Sequence, residues 1–140
     1  MEHALEFLNC CLHLSELPDH PVRHQDIDLY HTVAQVKIKD SISFSFQQPD
    51  VDLQLDKDLE CMNFNEIPPG TIWGRVNNNK LSSLPLLAMD ENGENISTDY
   101  FSINDNELHI NRKTMPSMLT LDERVIKQDC LCYLMERIQL

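Results

Sequence analysis

Hydrophobic and polar positions alternate strictly in two neighbouring runs. In 41–46, Ile42, Phe44 and Phe46 fall on one side; in 51–56, Val51, Leu53 and Leu55 do. Side chains of a strand point to opposite faces with period two, so each run predicts a strand with one buried and one wet face. Pro49-Asp50 suits the turn between them. Residues 33–39 predict a preceding strand, with Lys39-Asp40 as a tight connection. Connections this short make the three an antiparallel meander.

Further strands are predicted at 59–64, at 71–76 after the Pro68-Pro69-Gly70 turn, and at 84–89, where Pro85 argues for an edge. Asn92-Gly93 is a hairpin signal, because both residues tolerate positive φ. Residues 100–103 and 107–111 pair across Asn104-Asp105-Asn106. The count comes to about seven to eight short strands.

The two ends carry a helical period. In 4–17, Glu6, Asn9, His13 and Glu16 share one side, and Leu5, Phe7, Leu8, Cys11, Leu12 and Leu14 cover the rest. Near the C-terminus Thr120-x-x-Glu123 is a capping-box signature. The apolar residues that follow, from Leu121 to Ile138, leave a narrow acidic strip of Asp122, Asp129 and Glu136 on a helical wheel. A helix over 119–140 follows, with a buried central strand at 130–135 as the rival, since short apolar runs are ambiguous by period alone. The predicted fold class is α+β: an antiparallel sheet or small β-sandwich flanked by N- and C-terminal amphipathic helices. It forms one domain, 1–140, with a helix at 1–17, a loop at 18–32, a β-rich core at 33–111 and a helix at 119–140.

A helix lying on one sheet needs an apolar stripe little wider than 100°. Both end segments offer more, and a large exposed apolar patch calls for a cover. Phe7, Leu131, Leu134, Met135 and Ile138 are therefore candidate partner-binding residues, with self-association into a dimer the simplest expectation. If Ile72 and Val76 point to the core, alternation puts Trp73 outward, beside Arg75; packing under a terminal helix is the alternative. Trp and Arg are enriched at interface hot spots, so both join the candidates.

Charge narrows the partner. Eleven Lys and Arg stand against 23 Asp and Glu, a net charge of −12. A basic footprint for nucleic acid or an anionic membrane is missing, whereas a basic protein partner suits this charge. Three scattered glycines, Gly70, Gly74 and Gly93, build no phosphate-cradling loop. Five cysteines, an odd count, with an acidic start unlike a secretion signal, point to reduced thiols in a cytoplasmic setting. No apolar run is long enough to span a membrane.

Candidate chemistry lies in the His-rich segment. His20, His24 and Asp26 carry ligand types that zinc uses, and His20 and His24, four apart, share a helix face if Pro21 starts a turn. A metal-dependent enzyme using this loop is one alternative function. No quartet has a recognised spacing, so no cofactor and no catalytic residue are assigned. Cys130-x-Cys132 would align on one side of a strand but not of a helix.

One family resemblance runs through the second half. Ile67-Pro68-Pro69-Gly70-Thr71-Ile72-Trp73-Gly74-Arg75-Val76, then Tyr100-Phe101-Ser102-Ile103, then Leu121-Asp122-Glu123-Arg124, together resemble a cadherin-type repeat. The resemblance implies an extracellular, calcium-binding sandwich. The order Glu123-Arg124 departs from that family's pattern, and no residues are carried over. The leading expectation is a non-enzymatic, acidic protein–protein interaction module, chaperone-like or inhibitor-like, that holds or neutralises a partner. A structural subunit of a larger assembly is a further alternative.

Overall fold

The computed structural model describes residues 28–77 and 81–139. Among them the strands are β1 (Tyr30–Ile38), β2 (Phe44–Ser45), β3 (Leu53–Leu55), β4 (Ile72–Val76), β5 (Leu86–Met89), β6 (Phe101–Asn104), β7 (Glu107–Ile110), β8 (Met115–Ser117) and β9 (Cys132–Arg137). Two short helices, α1 (Ser97–Tyr100) and α2 (Glu123–Gln128), and a 3-10 turn (Leu59–Met62) complete them. One sheet has the order β5-β1-β9-β8, the other β2-β3-β4-β7-β6. A single cluster of buried side chains draws on both, with Val36, Leu86 and Leu134 from the first and Leu53, Trp73, Phe101 and Leu108 from the second.

The α+β expectation is corrected: the described chain is mostly β, and no amphipathic helix flanks the sheets at 119–140. Asp122 caps α2 by accepting from the Arg124 backbone N–H, and the helix ends at Gln128. The chain then enters β9 between β1 and β8, with Leu131 N donating to Val36 O at 2.8 Å. Cys132 and Leu134 are buried, while Tyr133 and Met135 on the other face are half-buried. A central strand apolar on both faces looks on a helical wheel like a broad greasy arc. The rival strand reading describes this segment. The apolar surplus assigned to a C-terminal helix is spent largely inside the sheet, and that half of the case for self-association goes with it. The helix predicted at 1–17 lies outside the described residues.

The meander is also corrected. β1 begins at Tyr30, inside the predicted loop, and pairs with β5 and β9. After the turn at Lys39, where Ile42 N donates to Lys39 O at 2.9 Å, the chain passes to the other sheet. There β2 runs parallel to β3. Side chains set this contact: Asp52 Oδ2 accepts from Ser43 N at 2.9 Å and from Ser43 Oγ at 2.7 Å, and Ser43 Oγ accepts from Asp52 N at 3.0 Å. The strand predicted at 59–64 is instead the 3-10 turn, begun where Asp56 Oδ1 accepts from Asp58 N at 2.9 Å.

Trp73 points inward, against the alternation. The register between β4 and β7 slips between Ile72 and Gly74, so two β4 residues oppose one β7 residue. The extra residue turns Trp73 into the core at 0% exposure and leaves Ile72 at 41%. Trp73 meets Phe101 edge-to-face, with centroids 5.2 Å apart. Gly74 is needed beside it, because a Cβ there would lie 2.3 Å from the Gln54 carbonyl oxygen.

The β6–β7 hairpin follows the alternation. Phe101 pairs with Ile110 and Asn104 with Glu107. Asp105 and Asn106 form the turn at φ 49° and 65°, the geometry that two-residue hairpin loops favour.

Candidate functional site

β8 would be the rim of its sheet, but residues 63–67 run antiparallel along its outer side. Phe64 N donates to Pro116 O at 2.8 Å, and Ile67 and Thr114 exchange backbone bonds at 2.8 and 3.3 Å. Asn63 closes the upper end. Its Nδ2 donates to Leu119 O at 2.7 Å, and its Oδ1 accepts from Leu119 N at 2.8 Å. One side chain thus replaces a strand partner for both backbone groups of Leu119.

This clamp places two unusual residues on neighbouring loops. Phe64 has φ 58° and Met118 has φ 56°. Left-handed backbone is rare for bulky side chains and costs about 1–2 kcal/mol per residue. Both side chains are also turned to solvent, at 62% and 68% exposure. Strain of this kind persists where surrounding contacts impose it, and such positions cluster at functional sites.

Two residues beyond Phe64, Glu66 begins an ionic strap. Glu66 accepts from Lys113 Nζ at 2.7 Å and from Arg137 Nε at 3.1 Å. Arg137 also meets Asp28 and donates to Tyr30 OH at 3.0 Å, with its guanidinium 5.4 Å from the Tyr30 ring centroid. Lys113 above all, then Arg137 and Tyr30, holds the Glu66 carboxyl down to about 2. Beside it, Glu136 accepts from Tyr100 OH at 2.7 Å and pairs with Arg112 at 3.1 Å. Burial, then Glu136, pushes the Tyr100 hydroxyl up. Three basic side chains, Arg112, Lys113 and Arg137, are thereby tied to carboxylates around one surface hollow at the Thr114 end of β8.

The candidate residues are scattered. Leu131, Leu134 and Trp73 are fully buried in the core, and Met135 is half-buried in β9. Ile138 is exposed next to Leu29, whose carbonyl accepts its N–H at 2.8 Å. Arg75 is exposed on β4, 3.9 Å from Glu107. Phe7, His20, His24 and Asp26 lie outside the described residues. Among the described residues, no three His, Cys, Asp or Glu side chains are grouped to hold a metal. Burial pushes the Cys130 and Cys132 thiols up, away from thiolate reactivity. Sequence reasoning passed over Phe64 and Met118. The one signal was the pair of turn-favouring residues, Asn63 and Asn65, around Phe64.

No family model, curated protein or solved structure matches this chain. No helix among the described residues is long and apolar enough to cross a membrane.

Proposed function

We propose that this chain is a non-enzymatic protein-binding module whose partner docks over Phe64 and Met118. The observation that carries the reading is the coincidence of strain and exposure: two bulky apolar side chains, each mostly in water, on left-handed backbone fixed by one asparagine. Aromatic residues and Met are enriched in interface cores, and Arg at their hot spots. The strap of Glu66, Lys113 and Arg137, begun two residues beyond Phe64, is polar as the rims of such cores are. The net charge of −12 favours a basic partner by steering its approach.

The test is affinity capture from the native source with two immobilised baits, wild type and the double variant Phe64→Gly/Met118→Gly. Glycine accepts positive φ, so the variant keeps the loops while removing both side chains. Proteins retained by wild type and lost by a variant that melts no lower support the reading. Equal capture by both baits contradicts it. Light scattering of the isolated protein separates a module that saturates with one partner from a subunit that assembles with its own copies.

A further inference from the structure

A sheet edge exposes backbone donors and acceptors, and proteins usually cover or shorten such edges. Three of the four edges here are managed. Along β5, Ala88 O accepts from Ile96 N at 2.9 Å and Ala88 N donates to Ser97 Oγ at 2.8 Å. Along β8 runs the 63–67 segment. β2 is two residues long.

The fourth edge is β6, which no strand pairs among the described residues. Ile110 N donates to Thr71 O on the β4 side, while Asn111 N donates to Tyr100 O on the β6 side. Bonding alternates along an antiparallel pair, so Ser102 and Asn104 bond β7, and both backbone groups of Ile103 point off the sheet. Among the described residues nothing bonds them. Phe101 N is already taken by Ser97 O. Alongside this edge runs a groove of about 490 Å³, walled by Leu81, Leu84, Phe101 and Ile103, with Thr98 and Asn111 at its polar margin. Asp99 and Asp105, both exposed, stand at the two ends of β6, and Lys39 reaches Ser83 Oγ at 3.4 Å on the far wall.

We infer that the β6 edge takes an extended segment of a partner chain as an added strand. The segment is apolar at alternate positions and basic at its flanks. Its backbone bonds the N–H and C=O of Ile103, one apolar side chain enters the groove between Leu84 and Ile103, and its flanking cations meet Asp99 and Asp105. Strand addition uses this division of labour, with main-chain bonds for affinity and pockets for alternate side chains. A second copy of the chain fits less well, because two chains of charge −12 repel. The site lies on a different sheet from Phe64 and Met118 and stands or falls apart from them.

The probe is an array of labelled strand peptides, with alternating Thr and a varied apolar residue and with Lys or Glu at both ends, read by fluorescence anisotropy against the full chain. Lys-ended members are expected to bind, to weaken with salt, and to lose affinity about tenfold on N-methylation of the amide that bonds Ile103 O. Ile103→Pro removes the outward N–H and leaves the bonds to β7 in place, so it is expected to lose a similar factor while the His109 amide stays protected from exchange. If that variant unfolds, the methylated peptides on wild type decide alone. The inference is overturned if methylated and unmethylated peptides bind equally, if Glu-ended members bind as well as Lys-ended ones, or if no member binds at millimolar concentration. It is also overturned if the chain dimerises in a way that bound peptide does not reverse.

Discussion

β8 has β9 on one side and the 63–67 segment on the other, and these two neighbours use apolar residues in opposite ways. In β9 the backbone is extended, both edges are paired, and Cys132 and Leu134 are at 0% exposure. In the 63–67 segment the backbone is held by one bond at Phe64, an exchanged pair at Ile67 and a side-chain clamp, and Phe64 stands in water at a left-handed φ. An apolar residue therefore says little until its backbone state is known. Where burial and relaxed geometry coincide, it serves stability. Where exposure and strain coincide, stability has been given up, and on that the proposed docking surface rests.

Substitutions that sharpen this contrast should separate stability from binding. The largest effect belongs to β9. Leu134→Ala empties a fully buried site and is expected to lower unfolding free energy by about 3 kcal/mol, measured by urea denaturation. Partner capture by the folded fraction should be unchanged. A smaller effect belongs to the clamp. Asn63→Ala removes two hydrogen bonds and strands both backbone groups of Leu119, for a loss of about 2 kcal/mol. Here binding should fall as well, because the loop of Phe64 then loses its side-chain tie to the loop of Met118 and keeps only the backbone bond to Pro116. Hydrogen exchange should show the Leu119 amide losing protection first.

The smallest effect belongs to the ionic strap. The Glu66 carboxyl sits at about 2 in the fold against an ordinary value of 4.5. A depressed carboxylate stabilises above its ordinary value and loses that contribution as pH falls from there toward 2. Wild type should therefore lose stability over that window more steeply than Glu66→Gln. Added salt should shrink the difference, since the group is partly exposed. Equal slopes for the two proteins would remove the strap from the account.

The same contrast marks what the sequence could reveal. The β6–β7 hairpin was legible because its alternation and its Asp105-Asn106 turn are local. The partners of β1 were not, because β5 and β9 lie far along the chain and periodicity carries no information about distant pairing. One extra residue in β4 turned Trp73 from a surface anchor into core, and the local sign of such a slip was Gly74, since a glycine inside a strand often marks a bulge. In 130–135 the preferred reading is a helix with Leu131, Leu134 and Met135 facing a partner, and only the rival reading has a buried strand, because a strand covered on both faces imitates a greasy helix. Phe64 and Met118 were illegible for a deeper reason. They flank a clamp between Asn63 and Leu119, 56 residues apart, and the asparagines around Phe64 suggest a turn but not this distant partner.

The most direct measurement is the unfolding free energy of Phe64→Gly/Met118→Gly against wild type, from matched urea titrations. Left-handed strain of about 1–2 kcal/mol per residue is relieved, while the covered third of each side chain and the extra unfolded-state freedom of two glycines work against it, so the account expects the double variant to be about as stable as wild type. A clear loss of stability would mean that the two side chains pack against the protein itself, and the case for a docking surface would fail.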